Sequence, residues 1–196
     1  MPPIHGPAYV LGDSVDTDQI IPASHLVYSM TRPDERRLYG RHALSAVPTA
    51  QAGLPGGGVP FVDDGSDRSV YRVVVAGRNL GCGSSREHAP FALREVGVGA
   101  VVAPSFARIF YRNAVDGGFL VPVESIDDLS GAVRTGDVVT VDVDGGTLTN
   151  HTTGETHALR PLGAAAEIVA AGGLFEFARQ TGLIAPREAP ETEVAG

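Results

Sequence analysis

The chain has 196 residues, 43% hydrophobic and 19% charged, the balance of a globular protein with enough chain to bury a core. Its net charge of −8 argues against nucleic acid or an anionic membrane as partner and makes any clustered arginine informative. The single cysteine excludes an internal disulfide, suits a reducing cytoplasm, and cannot alone hold an iron–sulfur cluster or a structural zinc.

Met1 to Tyr9 has no apolar core of signal-peptide length, and no apolar run is long enough to span a bilayer. Ala8 to Leu11 reads as a short strand ending at Gly12-Asp13. Val15-Asp16-Thr17-Asp18-Gln19-Ile20-Ile21-Pro22 follows. Its Asp and Thr side chains compete for backbone hydrogen bonds, so the stretch is either an Asx-type turn or a polar cluster displayed on a loop. His25 to Met30 is apolar without a clear period. Pro33 then suits the first turn of a helix that continues through Leu44. The arginines at 32, 36 and 37 are read as a solvated face or as reaching toward an acidic ligand. Pro48 to Pro60 holds three prolines and four glycines. It reads as a linker or flexible loop unable to pack a core, of the kind that serves as a hinge or lid.

Val70 to Ala76 predicts a strand. It runs into Gly77-Arg78-Asn79-Leu80-Gly81-Cys82-Gly83-Ser84-Ser85-Arg86-Glu87-His88, a glycine-rich turn expected to open a helix. Ala89, Ala92, Leu93 and Val96 share one helical face, and Gly97 suits the C-terminal cap. The turn fails three phosphate, dinucleotide and hydrolase patterns. It lacks the lysine of a phosphate loop, has Arg86 where the third glycine of a dinucleotide fingerprint belongs, and lacks the last glycine of a nucleophile elbow. Ser84 and Glu87 form a Ser-x-x-Glu capping box, so Ser84 reads either as a cap or as a base. An oxygen at a helix N-terminus is stabilised in its ionised form and can take a carbon-bound proton. Arg86 can grip a carboxylate through two parallel hydrogen bonds. Together they suit a substrate with carboxylates beside an acidic C–H.

Ala100 to Ala103 reads as a buried parallel strand. Ser105 reads as an N-cap for a helix carrying Phe106, Ile109, Phe110 and Asn113, and Phe119 to Val123 as a third strand. Strand, helix, strand, helix, strand makes a parallel βαβαβ core with right-handed crossovers. Val139, Val141 and Val143 alternate with polar residues before Asp144-Gly145-Gly146, which predicts an added β-hairpin with one wet face. Asn150-His151-Thr152 is read as a turn, and His151 and His157 as surface residues. A last helical stretch is broken at Gly172-Gly173. Residues 1–184 form the expected domain and 185–196 a disordered tail.

Three motifs stand in order: Asp16-Thr17-Asp18-Gln19-Ile20-Ile21-Pro22, Gly81-Cys82-Gly83-Ser84-Ser85-Arg86-Glu87-His88-Ala89-Pro90, and Ser105-Phe106-Ala107-Arg108-Ile109-Phe110-Tyr111-Arg112-Asn113. With them the chain resembles the small subunits of 3-isopropylmalate dehydratases, which match the swivelling C-terminal domain of the aconitase superfamily. The likeness runs from about Val10 to about Ile184 and takes in Asn150 to Gly154 and Ala171 to Phe175.

The resemblance implies a swivelling β/β/α fold and a hydro-lyase of leucine biosynthesis, interconverting 2- and 3-isopropylmalate by dehydration and rehydration. It implies a [4Fe–4S] cluster carried by a separate large subunit, without which this chain is inactive. It makes Ser84 the general base and Arg86 the ligand of a substrate carboxylate, with Ser85 nearby. Thr17 and Asp18 join the polar cluster, Asp18 orienting either Arg86 or a substrate group. Leu26 and Val27 would line a pocket for the isopropyl group. Leu80 and His25 stand where relatives commonly carry an aromatic residue and a tyrosine. The same family pattern admits citraconate, homoaconitate or another substituted malate as substrate.

Overall fold

The computed structural model describes residues 1–185. The tail expected to be disordered therefore lies, from residue 186 on, outside the described residues.

Among the described residues seven strands form one sheet, in the order β4 (Val121–Glu124), β3 (Ala100–Ala103), β2 (Val73–Val75), β1 (Ile4–Val10), β5 (Val138–Asp142), β6 (Thr147–Asn150) and β7 (Thr156–Ala158). β1 is its pivot. The second half of β1, Ala8 to Val10, pairs parallel with β2. Its first half, Ile4 to Pro7, pairs antiparallel with β5. β3 and β4 continue the parallel side. β6 and β7 extend the antiparallel side as a meander. The expected hairpin is present, and β1 fuses it to the parallel core.

The parallel strands are buried on both faces, which is why they read as continuous apolar runs. Alternation divides their side chains between two cores. Tyr9, Val74 and Val101 join one cluster, while Ala8, Val73, Val75 and Val102 join the other. The first core is covered by the short helix α1 (Thr17–Ile20), α2 (Pro33–His42), α3 (His88–Val96) and α4 (Arg108–Asp116), each contributing buried side chains. The second is closed by Leu129, Val133 and the β5–β7 meander, with α5 (Ala165–Ala171) packed on it through Ala165, Ala166 and Val169. α6 (Leu174–Gln180) follows after the expected break, where Gly172 ends α5 in the left-handed conformation. Among the described residues no helix is long and apolar enough to cross a membrane.

Three expectations are corrected. The strand predicted over Val70 to Ala76 shrinks to Val73–Val75, and Val70 stands exposed; β-branched residues favour extended backbone, but only the part beside β1 and β3 finds partners. Ser105 does not cap α4, which begins at Arg108 with Ala107 at its cap position and no side-chain bond. The Pro48 to Pro60 segment does contact the core. Leu54 N–H donates to Val10 O (2.9 Å), Thr135 N–H donates to Leu54 O (2.9 Å), and Tyr9 Oη donates to Val59 O (2.6 Å). Ala52 and Val59 pack against the first core and Leu54 against the second. Its few apolar side chains are spaced so that each reaches a core, which a reading of overall composition averages away.

The loops after β1, β2 and β3 leave the same edge of the sheet, the carboxyl edge where open parallel sheets place their ligands. Gly81 lies in the β2 loop at φ +79°, and a Cβ there would overlap the buried Phe110 ring of α4. Gly83 has φ +91°, but its nearest neighbour to a Cβ would be Thr17 Oγ1 at 3.5 Å. Gly81→Ala is therefore expected to lose about 3 kcal/mol or more. Gly83→Ala should lose about 1 kcal/mol, the backbone strain alone. Urea denaturation of both variants checks the ranking.

Candidate active site

The loop from Gly77 to His88 is held by backbone hydrogen bonds on both sides. Toward the segment after β1, Arg78 N–H donates to Asp13 Oδ1 (2.7 Å), Ser14 N–H to Arg78 O (2.8 Å), and Gly81 N–H to Val15 O (2.8 Å). Thr17 N–H donates to Cys82 O (2.9 Å). Toward the segment after β3, Asn79 N–H donates to Ser105 Oγ (3.0 Å), Leu80 N–H to Ser105 O (3.2 Å), and Ala107 N–H to Leu80 O (2.9 Å). Ser105 thus has a role, but across to the glycine loop and not along its own helix. The three sequence motifs lie side by side, joined by the parallel bridges Asp16–Cys82 and Leu80–Phe106.

The Asp16 to Pro22 stretch forms a helix start. Asp16 caps α1, its carboxylate accepting from Gln19 N–H (2.7 Å) while Gln19 Oε1 accepts from Asp16 N–H (2.9 Å). This is a reciprocal capping box, legible from Asp16-x-x-Gln19. It turns Thr17 inward and leaves Asp18 facing out.

Ser84 and Ser85 are exposed. The capping box expected between Ser84 and Glu87 does not form: α3 starts only at His88, with Glu87 at the cap position and no side-chain bond. The carbonyl of Ser84 is occupied instead, accepting from Thr17 Oγ1 (3.1 Å) and from Arg86 N–H (2.8 Å). That tight turn at Arg86 delays the helix. Ser84 is thus fixed through its backbone, and its hydroxyl is not spent on capping. The stabilisation expected from the helix end is displaced by four residues, which leaves Arg86 as the loop's cation nearest to Ser84 in sequence.

Arg86 Nη1 donates to Asp18 Oδ1 (2.5 Å) and to Ile21 O (3.3 Å). Its side chain is 15% exposed, against 55% for Asp18. A pair this wet contributes little stability; its effect is to aim the guanidinium. Of the two roles open to Asp18, the structure has it on Arg86. A guanidinium carries five N–H donors, so anchoring at Nη1 leaves donors for a carboxylate.

Leu26 and Val27 diverge. Leu26 packs against the first core, whereas Val27 is 79% exposed. Next to the loop, burial holds the imidazole of His88 below its ordinary pKa, opposed by Glu87 and aided by Arg86. His42 is likewise lowered, by burial first and then by His25 and Arg41.

The described residues include no group of three or more His, Cys, Asp or Glu side chains arranged for a metal ion. An iron–sulfur cluster needs several thiolates, and the lone Cys82 faces the Ser14 carbonyl (3.4 Å). The donor set of this chain does not fit a [4Fe–4S] cluster.

Comparison with known proteins places this arrangement in company. The aconitase C-terminal domain family matches residues 63–126, which span the glycine loop and the Ser105 motif. The chain is 44% identical over 182 residues to "3-isopropylmalate dehydratase small subunit 2" of Arabidopsis thaliana, covering 92% of this chain and 69% of the relative. It is 42% identical over 180 residues to the 3-isopropylmalate dehydratase small subunit of Pyrobaculum neutrophilum, covering 91% and 98%. The crystal structure of a 3-isopropylmalate dehydratase from Methanocaldococcus jannaschii superposes with a TM-score of 0.75 at 34% identity, covering 93% and 96%.

Because His42 and His88 bind protons less readily in the folded chain than at their ordinary value of 6.5, the unfolded chain takes up more protons below that pH. Their contribution to stability is complete above about pH 6.5 and is lost as pH falls through the folded values. Unfolding free energy is expected to decline from about pH 7 toward pH 5. His42→Phe should flatten that slope, as measured by urea denaturation across the range.

Proposed function

The chain belongs to the 3-isopropylmalate dehydratase small-subunit family, and on that premise we propose that Ser84 is its general base and Arg86 its clamp for a substrate carboxylate. The activity is that of a hydro-lyase, interconverting 2- and 3-isopropylmalate by dehydration and rehydration. A small subunit implies a larger one, and the finer reading is that this partner brings the [4Fe–4S] cluster, which supplies the Lewis acid for the departing hydroxyl. A single cysteine suits a chain working in a reducing compartment such as the cytoplasm.

The observation that carries this reading is that one braced loop presents an exposed serine hydroxyl two residues from an arginine whose Nη1 is already anchored. The remaining chemistry follows from these groups. Arg86 holds a carboxylate through its unanchored donors and so orients the adjacent C–H toward Ser84. Ser84 Oγ, as an alkoxide, takes the proton in dehydration to become the neutral hydroxyl and returns it in rehydration. Asp18 and the Ile21 carbonyl keep Arg86 in place, and Thr17 keeps Ser84 in place through its carbonyl. Ser85, exposed beside them, is available to a second substrate oxygen. Leu26 and Val27 belong to the segment proposed to meet the isopropyl group.

Ser84→Ala is expected to lower kcat by about a thousandfold, within the range for a general base, with assembly onto the large subunit retained. Near-normal turnover after anaerobic reconstitution would remove Ser84 from the reaction. Arg86→Lys should raise KM by about tenfold or more, since an ammonium cannot supply two parallel bonds. An unchanged KM would assign Arg86 a purely structural role.

A further inference from the structure

The segment that carries Leu26 and Val27 is tied to one helix by several contacts. Tyr39 of α2, fully buried, donates from Oη to the Tyr28 carbonyl (2.6 Å). Glu35 of the same helix accepts from Ser29 N–H (2.6 Å). His42, its last residue, stacks face to face on His25 at 3.6 Å between centroids and 5° between planes. Tyr28 lies parallel to both imidazoles, 6.2 Å from His25 and 6.4 Å from His42. The two residues on either side of Leu26-Val27 are therefore pinned by α2. The same Tyr39 ring sits 5.6 Å from that of His88 and meets Phe91 edge to face at 5.3 Å. Both belong to α3, which begins two residues after Arg86.

We propose that Tyr39 and His42 are positioning residues that fix the Leu26–Tyr28 turn relative to Arg86 and so determine which apolar substituent the bound malate can carry. This rests on the proposed activity of the Ser84 and Arg86 site. The physical reasoning is one of registry. An apolar pocket discriminates between substituents only by contact and volume. Val27, with no core contact to hold it, keeps its distance from the carboxylate clamp only if its flanking residues share a frame with that clamp. Tyr39 is that shared frame, with its hydroxyl on the turn and its ring on α3. The His25–His42 stack fixes the other flank, and it does so through ring contact alone.

The test uses His42→Ala, Tyr39→Phe and His42→Phe, the last keeping an aromatic face for His25. On the full chain alone, amide hydrogen exchange at Leu26 to Met30 is expected to quicken by about tenfold in His42→Ala and to remain close to wild type in His42→Phe. Tyr39→Phe, which removes the donor to the Tyr28 carbonyl, should fall between them. In the enzyme reconstituted with its large subunit, His42→Ala should raise KM for 3-isopropylmalate by about tenfold, more than it lowers kcat. The inhibition constant of a methyl-substituted malate should change by less than about threefold, and His42→Phe should restore the wild-type ratio. A merely structural role would lower thermal stability without moving that ratio. Equal changes for both ligands, or unchanged exchange in the turn, overturn the proposal with the activity intact. A wild-type enzyme inert toward every malate would overturn the activity reading itself, and the substrate part of this inference with it.

Discussion

Everything at the candidate site depends on a glycine loop being stitched to its neighbours by backbone hydrogen bonds. Apart from Leu80, which is buried in the first core, a loop of this composition has little side-chain volume with which to pack. Its order comes instead from bonds to the segment after β1 on one side and to the segment after β3 on the other. Gly81 is the point of closest approach, because any side chain there would occupy the space of the Phe110 ring. The loop can therefore present the Ser84 hydroxyl outward while its carbonyl is gripped from behind by Thr17. Rigidity and exposure, which usually compete, are here assigned to different atoms of the same residue.

The sheet makes this possible. β1 serves two partners of opposite direction, so the parallel strands keep a free carboxyl edge and the antiparallel meander is carried off the other side. Loops from three parallel strands meet at that edge. The first brings Thr17 and Asp18, the second Ser84 to Arg86, and the third Ser105 as a brace. Burying the parallel strands on both faces fixes the positions of their ends, and hence the relative placement of these groups. α2 and α3 then extend the same frame outward to the turn that carries Leu26 and Val27.

Arginine and aspartate show how a weak interaction can still matter. The Asp18–Arg86 pair is too exposed at Asp18 to stabilise the fold appreciably. It does restrict a long, flexible side chain that would otherwise sample many rotamers. For the carboxylate clamp proposed at Arg86, fixing that side chain in advance would lower the ordering cost of binding. The Ile21 carbonyl performs the same service from a position with no side-chain signature at all, which is why it was not visible in the sequence.

Much was legible from residue order. The βαβαβ core, the hairpin, the Gly97 cap and the break at Gly172-Gly173 follow from periodicity and glycine placement, because these express local geometry and one-dimensional burial. The three motifs and their order were enough to identify the resemblance, and the family comparisons bear it out. What sequence could not decide was which local partner each polar group takes. Ser84-x-x-Glu87 and Ser105 both fit capping patterns, yet neither caps a helix, because Thr17 and the Arg86 turn claim the Ser84 carbonyl and Asn79 and Leu80 claim Ser105. Leu26 and Val27 are adjacent and alike, yet one packs against the core and the other stands exposed. Residue order determined the elements and the chemistry on offer. The tertiary structure alone decided the pairing, because hydrogen-bond partners far apart in sequence compete with local ones and win only where the packed backbone brings them within reach.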